Sequence, residues 1–265
     1  MKKIIGWFSC GITSAVACKL AIEKYGKENV ELYYIVIDSA HWDNERFIRD
    51  CEKWIGTKIK RIQSPTYTDQ FDVIKKRKYI NGPGGARCTS ELKKRVRKRV
   101  EKIVDYDGQI FGFEFEKNEI NRAIRFSQQY SDAKPLYPLI DRKMTKQQCA
   151  ELLLMNGIKL PKMYELGFHN NNCIGCVKGG MGYWNHIRKH FPSYFDRMNE
   201  LEKELGATCI KGKALNDLKP DEGKHEPPIV PNCGTFCEIE FADIIDPNTE
   251  RVLNGYTTIK QLKLF

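Results

Sequence analysis

The chain has 265 residues, of which 41% are hydrophobic, enough to bury a full core in one α/β domain with an elaboration or in two small domains. Its net charge of +10, from 44 Lys and Arg against 34 Asp and Glu, favours anionic partners such as nucleotides or nucleic acids. No apolar run is long enough to cross a bilayer and no signal-peptide pattern opens the chain, so we expect a cytoplasmic protein with no membrane partner.

Strand-like and helix-like segments alternate along the first half of the chain. Apolar, β-rich runs predict strands at residues 4–8, 32–37, 58–62 and 109–113. Helical patterns between them predict helices at 15–25, 44–54, 69–76 and 90–103. Such alternation predicts an α/β fold with a doubly wound, mainly parallel sheet and helices on both faces. Because ligands of such sheets bind beyond the carboxyl ends of the strands, residues 9–14, Asp38 and residues 112–114 are expected along one edge.

The pattern changes after residue 138. Helices are predicted at 145–156, at 183–190 and from there to about residue 205, with a loop-rich, cysteine-containing stretch between the first two. We therefore expect a nucleotide-binding α/β domain at 1–165, followed at 166–265 by a C-terminal loop-rich and helical region that carries a cysteine cluster.

The segment 4–14 reads as an apolar strand that breaks into a Ser/Gly turn before a helix. Gly11 permits close backbone approach, Ser9 and Ser14 offer hydroxyls, and the helix directs its unpaired N–H groups and positive dipole end at the turn. The turn therefore predicts a phosphate site, and an ordinary βα turn is the alternative. The candidate binding residues are Ser9, Cys10, Gly11, Ile12, Thr13 and Ser14.

Five further residues are candidates for chemistry. Asp38 could meet a ribose hydroxyl, an adenine amine or hydrated Mg²⁺, or could simply cap a turn. Arg87 could neutralise phosphate or sulfate, and Cys88 beside it could act as a nucleophile or a ligand. Glu119 and Arg122 lie one helical turn apart, so they form either a surface ion pair or a phosphate-binding Arg122 held by Glu119.

Two close pairs of cysteines predict a metal centre. Cys173 with Cys176, and Cys233 with Cys237, have spacings that suit tetrahedral zinc or an iron–sulfur cluster, and spacing does not choose between them. Cys88 could replace one ligand, and buried free thiols or a redox dithiol are the alternatives. The remaining cysteines lie in or beside apolar stretches and are expected to be small core residues: Cys10, Cys18, Cys51, Cys149 and Cys209.

A strongly basic segment spans residues 93–99. It predicts either a solvated helix or a contact with a phosphate backbone, which would make a nucleic acid a partner. No aromatic residue is interleaved in this segment, so base stacking is not indicated there.

Taken together, these segments resemble the PP-loop ATP pyrophosphatase and phosphoadenosine phosphosulfate (PAPS) reductase-like family. Ser9, Gly11, Thr13 and Ser14 match the turn Ser-Gly-Gly-x-Asp/Thr-Ser, and Cys10 replaces one glycine. The resemblance continues through residues 87–89, Gly112-Phe113 with Glu119 and Arg122, and residues 172–180. It extends to PAPS-reductase-like proteins of bacteriophages and mobile elements and to the sulfur-transfer enzymes of DNA phosphorothioation.

The resemblance implies an adenine nucleotide alpha-hydrolase-like fold, located in the host cytoplasm if the protein is phage-encoded. It also implies ATP or PAPS as the nucleotide, Mg²⁺, and either a 4Fe-4S cluster or Zn²⁺. Gly112 and Phe113 would then join the nucleotide-binding residues, and Arg87, Cys88 and Arg122 would be catalytic. A sulfur-donor protein is a further expected partner, and the oligomeric state stays open.

Three functions follow as hypotheses. The first is an ATP pyrophosphatase that activates a nucleic acid or a small acceptor for sulfur transfer. The second is a PAPS-type reductase releasing sulfite, which the missing histidine after Cys233-Gly234 weakens. The third is a nucleotide- or nucleic-acid-binding module with structural zinc, which Cys10 makes credible because a side chain there could narrow the phosphate pocket or reshape the turn.

Overall fold

The computed structural model describes residues 3–82, 85–224 and 229. Five strands form one sheet in which every neighbouring pair is parallel, in the order β3-β2-β1-β4-β5. The strands are β1 (Lys3–Trp7), β2 (Val30–Val36), β3 (Ile59–Gln63), β4 (Tyr106–Ile110) and β5 (Pro135–Leu136). The strand order reverses at β1, and open α/β sheets bind ligands in the crevice beyond the carboxyl ends of the strands at such a point.

Helices cover both faces of this sheet, which confirms the predicted α/β class. They are α1 (Ile12–Tyr25), α2 (Asn44–Ile55), α3 (Gln70–Arg77), α4 (Arg95–Ile103), α5 (Lys117–Gln129), α6 (Pro138–Asp141), α7 (Lys146–Met155), α8 (Lys162–Glu165), α9 (Met181–His190) and α10 (Pro192–Leu205). Helices α1, α2 and α7 share the largest core with one side of the sheet. On the other side, Val100 of α4 packs against Ile5 and Tyr33. The apolar strands are therefore buried from both sides, as their sequences require.

A second core lies around α9 and α10. Trp184, Ile187 and Met198 pack there with Phe71 and Ile74 of α3, so the C-terminal helices are joined to the sheet domain through α3. The same core contains Phe168, Ile174 and Val177. It therefore supports the loop that carries Cys173 and Cys176.

Two predicted elements differ from those observed. The strand expected at 109–113 is Tyr106–Ile110, because Phe111 and Phe113 leave the sheet and pack with Tyr137 beside α5. The helix expected at 90–103 begins as a π-helical segment, Thr89–Lys94, and becomes α-helical only at Arg95. The two-residue strand β5 is too short to give a periodic signal and was not predicted.

The five cysteines expected in the core are all buried, which confirms that prediction: Cys10, Cys18, Cys51, Cys149 and Cys209. Among the residues that the structure describes, none of the helices has the length and apolar character needed to span a membrane.

Candidate functional site

The predicted phosphate turn is organised by the hydroxyl of Ser14. This oxygen accepts hydrogen bonds from the backbone N–H of Ser9 and from the Ser9 hydroxyl, both at 3.0 Å. It donates to the carbonyl oxygen of Gly11 at 2.9 Å. The turn is thus closed on itself before any ligand arrives, and this preorganisation lowers the entropy cost of binding.

The turn leads into α1 without a side-chain cap. Gly11 is the N-cap residue, and no acidic side chain lies in the first turn. The N–H of Ile12 contacts the hydroxyl oxygen of Tyr164 at 3.4 Å, a long hydrogen bond. An uncapped helix N-terminus presents N–H groups and a partial positive charge, which together suit an anion.

Cys10 does not narrow the turn. Its side chain is fully buried and does not line the cleft, while its backbone takes a left-handed conformation with φ of 60°. Burial raises the pKa of the Cys10 thiol well above its ordinary value, so the thiol stays neutral. A side chain at this position therefore does not narrow the phosphate pocket, because it is buried outside the lining of the cleft, while a reshaped turn stays a prediction.

Gly112 lies directly against the turn. A Cβ atom at this position would sit 2.8 Å from both the Cα and the backbone nitrogen of Ser14, closer than backbone atoms permit. Only glycine allows the segment after β4 to approach the start of α1 in this way. Two segments about a hundred residues apart in sequence thereby form opposite walls of one cleft.

This cleft, which we call the phosphate cleft, has a volume of 860 Å³. It brings together eight of the predicted site residues: Ser9, Gly11, Thr13, Ser14, Gly112, Phe113, Glu119 and Arg122. Arg122 forms an ion pair with Glu119, and its guanidinium lies 5.3 Å from the centre of the Phe113 ring. The one-turn spacing on α5 therefore produces the predicted pair, in which an exposed Arg122 also lines the cleft.

Several residues of the phosphate cleft were missed by sequence reasoning. Lys146 is buried at the start of α7 and donates hydrogen bonds to the carbonyl oxygen of His169 and, at 2.8 Å, to Oδ1 of Asn170. A lysine in the first turn of a helix opposes the helix dipole, and that was an available signal. Glu114, which the sequence placed at this edge of the sheet, lines the cleft as well, and burial, helped by the charge of Glu119, raises the pKa of its carboxyl.

A second, more enclosed cavity adjoins the phosphate cleft, and we call it the aromatic pocket. Its volume is 230 Å³. The two cavities share Trp7, Ser9, Phe111, Asn171 and Asn172. The rest of the aromatic pocket is lined mainly by apolar and cationic side chains, including Tyr33, Tyr34, Ile35, Ile37, Lys93, Lys94, Arg97 and Cys173. A planar, partly apolar ring with an anionic neighbour fits such a lining.

The basic segment 93–99 is therefore not simply a solvated helix. Arg97 is buried over the rings of Phe126 and Tyr130, and Lys94 donates to the Tyr130 hydroxyl at 2.7 Å. The exposed remainder still offers a basic surface, made of Lys93, Arg95, Lys98 and Arg99.

Besides Cys10, Cys88 and Cys176, three predicted site residues of the described chain line neither cavity, and one of them, Ile12, is fully buried. Asp38 is exposed at the carboxyl edge of the sheet, where its carboxylate accepts a hydrogen bond from Gln63 at 3.2 Å, and it lines neither cavity. Arg87 is also exposed, and its guanidinium lies 5.8 Å from the centre of the Tyr79 ring. Their assigned roles stay predictions.

The cysteine loop is held by hydrogen bonds with three residues outside it, Ser39, Gln70 and Tyr183. The Ile174 N–H donates to the carbonyl oxygen of Ser39 at 2.8 Å, and the side chain of Gln70 donates to the carbonyl oxygen of Ile174 at 2.7 Å. The Tyr183 hydroxyl accepts from the backbone N–H of Cys176 at 2.9 Å and donates to the carbonyl oxygen of Cys173 at 3.0 Å. Tyr183 thus bridges the two cysteines through their backbone.

Cys88 lies near this loop although it is far away in sequence. Burial raises the pKa of the Cys88 thiol to about 11, and the charges of Cys176 and Cys173 contribute to that shift. Cys233 and Cys237 lie outside the described residues. Across residues 3–82, 85–224 and 229, no group of three or more His, Cys, Asp or Glu side chains is close enough to hold a metal ion.

The donor set that the structure describes is nevertheless of one chemical kind. Three partly exposed thiols, those of Cys88, Cys173 and Cys176, come from two segments of the chain. Thiolates suit zinc and iron–sulfur clusters, whereas Mg²⁺ prefers oxygen ligands. The residues are therefore of the ligand type that a thiophilic metal centre needs, but the described ones do not form such a site, and the centre stays a prediction.

Comparison with known proteins adds little about function. No protein-family model matches this chain, and no curated protein sequence matches it either. Among solved structures it is similar to the U34-tRNA thiolase NcsA from Methanococcus maripaludis, which was solved with its 4Fe-4S cluster. The two are 15% identical, over 78% of this chain and 72% of that chain, with a TM-score of 0.39. A likeness at this level carries no conclusion about activity.

Proposed function

We propose that this protein is a PP-loop nucleotide-activating enzyme that binds ATP and supports sulfur transfer to a nucleic acid or a small acceptor. The observation that carries the proposal is the pair of joined cavities at the carboxyl edge of β1. One contains an uncapped helix N-terminus, the other has aromatic walls, and Cys173 lines the second. Phosphates, nucleobase and sulfur chemistry would thereby meet at one place.

The triphosphate would lie in the phosphate cleft. The N–H groups at the start of α1 would face the phosphates, and Lys146 and Arg122 would supply positive charge. Glu114, Glu116 and Glu119 also line this cleft, so bound Mg²⁺ would offset their charge and that of the phosphates. The adenine would occupy the aromatic pocket among Trp7, Tyr33 and Tyr34.

The proposed reaction proceeds in two displacements. An oxygen of the acceptor attacks the α-phosphorus, the bond to the β-phosphate breaks, and pyrophosphate leaves. A sulfur nucleophile then attacks the activated carbon and displaces AMP, so that a C–S bond replaces the C–O bond. Donors fixed around the turn would stabilise the charge that accumulates on the phosphate oxygens in the first step.

The cysteine region would serve the second step. A zinc or iron–sulfur group held there would supply either a structural clip or a place to carry sulfur. We propose Cys173 and Cys176 as ligands together with Cys233 and Cys237, with Cys88 as an alternative ligand or nucleophile. In this arrangement residues 1–165 hold most of the nucleotide and residues 166–265 carry the cysteine centre.

The test compares two glycines in equivalent backbone positions. Gly11 and Gly180 are both N-cap residues in extended conformation with no side-chain cap, so alanine at either should cost less than about 1 kcal/mol in stability. Only Gly11 lines the phosphate cleft. The methyl group of Gly11→Ala would stand where a phosphate approaches the backbone, so that one phosphate contact is lost. We expect this to weaken ATP binding by about tenfold or more, since such a contact is worth about 1.4 kcal/mol, and to slow pyrophosphate release. Gly180→Ala should leave both unchanged.

The readouts are isothermal titration calorimetry with ATP and a coupled assay for pyrophosphate. Equal ATP affinity in the two variants would remove the phosphate cleft as the binding site. ATP binding with no pyrophosphate release under any condition would instead indicate a binding module. Sulfite formed from PAPS and a thiol donor would identify a sulfonucleotide reductase.

A further inference from the structure

Asn171 forms part of the wall between the two cavities. The residue lines both the aromatic pocket and the phosphate cleft. Its Nδ2 donates to the carbonyl oxygen of Cys10 at 2.7 Å and to Oδ1 of Asn44 at 2.8 Å. The amide therefore connects the phosphate turn to α2 from a position two residues before Cys173.

The other end of this amide lacks a partner. Oδ1 of Asn171 is buried, and among the described residues no donor reaches it. Rotating the amide by half a turn would not help, because Oδ1 would then face the carbonyl oxygen of Cys10. The orientation is thus set by the two Nδ2 bonds, and within the described part of the chain the buried acceptor is left open for a donor from a ligand.

An adenine nucleotide carries few donors that could serve. Its phosphate oxygens are acceptors, so the candidates are the 6-amino group of adenine and the two ribose hydroxyls. Asn171 lies where the aromatic pocket meets the phosphate cleft. The part of a nucleotide that joins its base to its phosphates is the ribose.

We infer that Oδ1 of Asn171 accepts a hydrogen bond from a ribose hydroxyl of the bound nucleotide, and that Asn171 makes the site selective for ribonucleotides. This inference rests on the proposed function, because it places adenine in the aromatic pocket and phosphates at the turn. A buried acceptor that a hydroxyl satisfies is left unpaired by a deoxy analogue, and such sites discriminate strongly against the analogue.

The experiment measures dissociation constants by calorimetry for ATP, 2′-deoxy-ATP, 3′-deoxy-ATP and ITP. Wild-type protein should bind ATP about tenfold or more tightly than one of the two deoxy nucleotides, and should bind ITP nearly as well as ATP. Asn171→Ala removes the acceptor, so the ratio between the dissociation constants of the deoxy nucleotide and of ATP should fall close to one. Asn44→Ala removes one acceptor of the same amide but keeps Oδ1, so the preference should survive even where absolute affinity falls.

The possible outcomes separate the inference from the proposed function. ATP binding with equal affinity for both deoxy nucleotides would overturn the inference and leave the proposed function standing. Discrimination against ITP in place of the deoxy nucleotides would also overturn it, because the adenine amine would then be the donor. Absence of ATP binding would overturn both. Because each preference is a ratio within one variant, a partly unfolded variant still gives a usable value.

Discussion

Glu114 shows how one buried side chain links stability to the site. Burial is the main cause that raises its pKa from the ordinary 4.5, and the charge of Glu119 adds to it, while Lys146 acts in the opposite direction. A carboxyl whose pKa is raised in the folded state binds its proton more tightly there than in the unfolded chain. Its ionisation therefore destabilises the fold above the folded-state pKa and has no such effect below the unfolded-state pKa.

We expect Glu114→Gln to raise the thermal midpoint at pH 7 to 8, with a gain that shrinks as the pH falls toward about 4, near the ordinary pKa of glutamate. The measurement is the midpoint of wild type and variant across this range. Glu116→Gln is the control, because Glu116 lines the same cleft but is exposed. A gain that is independent of pH would show that Glu114 acts through packing instead of charge.

Two glycines of the site, Gly11 and Gly112, differ in how much space a Cβ atom would find there. Gly11 was predicted from its place in the turn, and a Cβ there would make only ordinary contacts, 3.6 Å from the hydroxyls of Ser9 and Tyr164. Gly112 was predicted at the ligand edge of the sheet and through the family resemblance, but neither indicated that it would lie directly against the Ser14 backbone. A contact between segments so far apart leaves no local pattern in the sequence.

At the scale of elements, the cysteine loop depends on α9. Tyr183 on this helix bonds the backbone of both Cys173 and Cys176 through one hydroxyl. Phe168 packs edge-on against the Tyr183 ring at 5.7 Å, which helps to hold the ring in place. The geometry of the two thiols is therefore set by a helix that follows them, and not by the Cys-x-x-Cys spacing alone.

Tyr183→Phe should loosen this loop while the ring packing stays. We expect the thiols of Cys173 and Cys176 to react faster with a thiol reagent in the metal-free protein, and the protein to retain less metal. Stability should fall by about 1 to 3 kcal/mol, since two backbone groups lose a partner. Tyr194→Phe is the matched control, because this tyrosine belongs to the same core but is not a bonding partner of the loop. Equal thiol reactivity in the two variants would contradict the bridging role.

Secondary structure was largely predictable because it depends on local patterns. Helix α1 follows the turn, α2 ends at Gly56, and α7 carries the full capping box of Thr145 and Gln148. The strand at 109–113 was misplaced because Phe111 and Phe113 are apolar for a different reason, their packing beside α5. An apolar run alone does not distinguish a strand from a segment that leaves a sheet.

At the scale of the whole molecule, the centre proposed at the cysteines requires segments that only the fold brings together. Cys88 follows α3, whereas Cys173 and Cys176 precede α9, and the core shared by α3, α9 and α10 lies beside them. Metal binding would therefore be coupled to the docking of the C-terminal helices, and loss of metal should lower the stability of the whole chain.

We expect protein purified without oxygen to contain iron with matching sulfide, or zinc, and Cys173→Ala and Cys176→Ala each to lose it with a drop in thermal midpoint. Cys149→Ala is the control, since this thiol is fully buried in the large core. Elemental analysis with a sulfide assay and the visible spectrum gives the answer. Retention of metal in both loop variants would contradict the proposed ligands, and its loss in Cys88→Ala as well would assign Cys88 as a further ligand.

Local chemistry in the chain was sufficient for the α/β class, the phosphate turn, the Glu119–Arg122 pair and the buried cysteines, because each depends on neighbouring residues or on hydrophobic periodicity. Tertiary packing decided that Lys146 and Asn171 line the cleft, that Lys94 and Arg97 line a pocket, and that Cys88 approaches the cysteine loop. These residues come together only when strands and helices pack against one another. Packing between segments that are far apart in sequence leaves no local pattern in either segment.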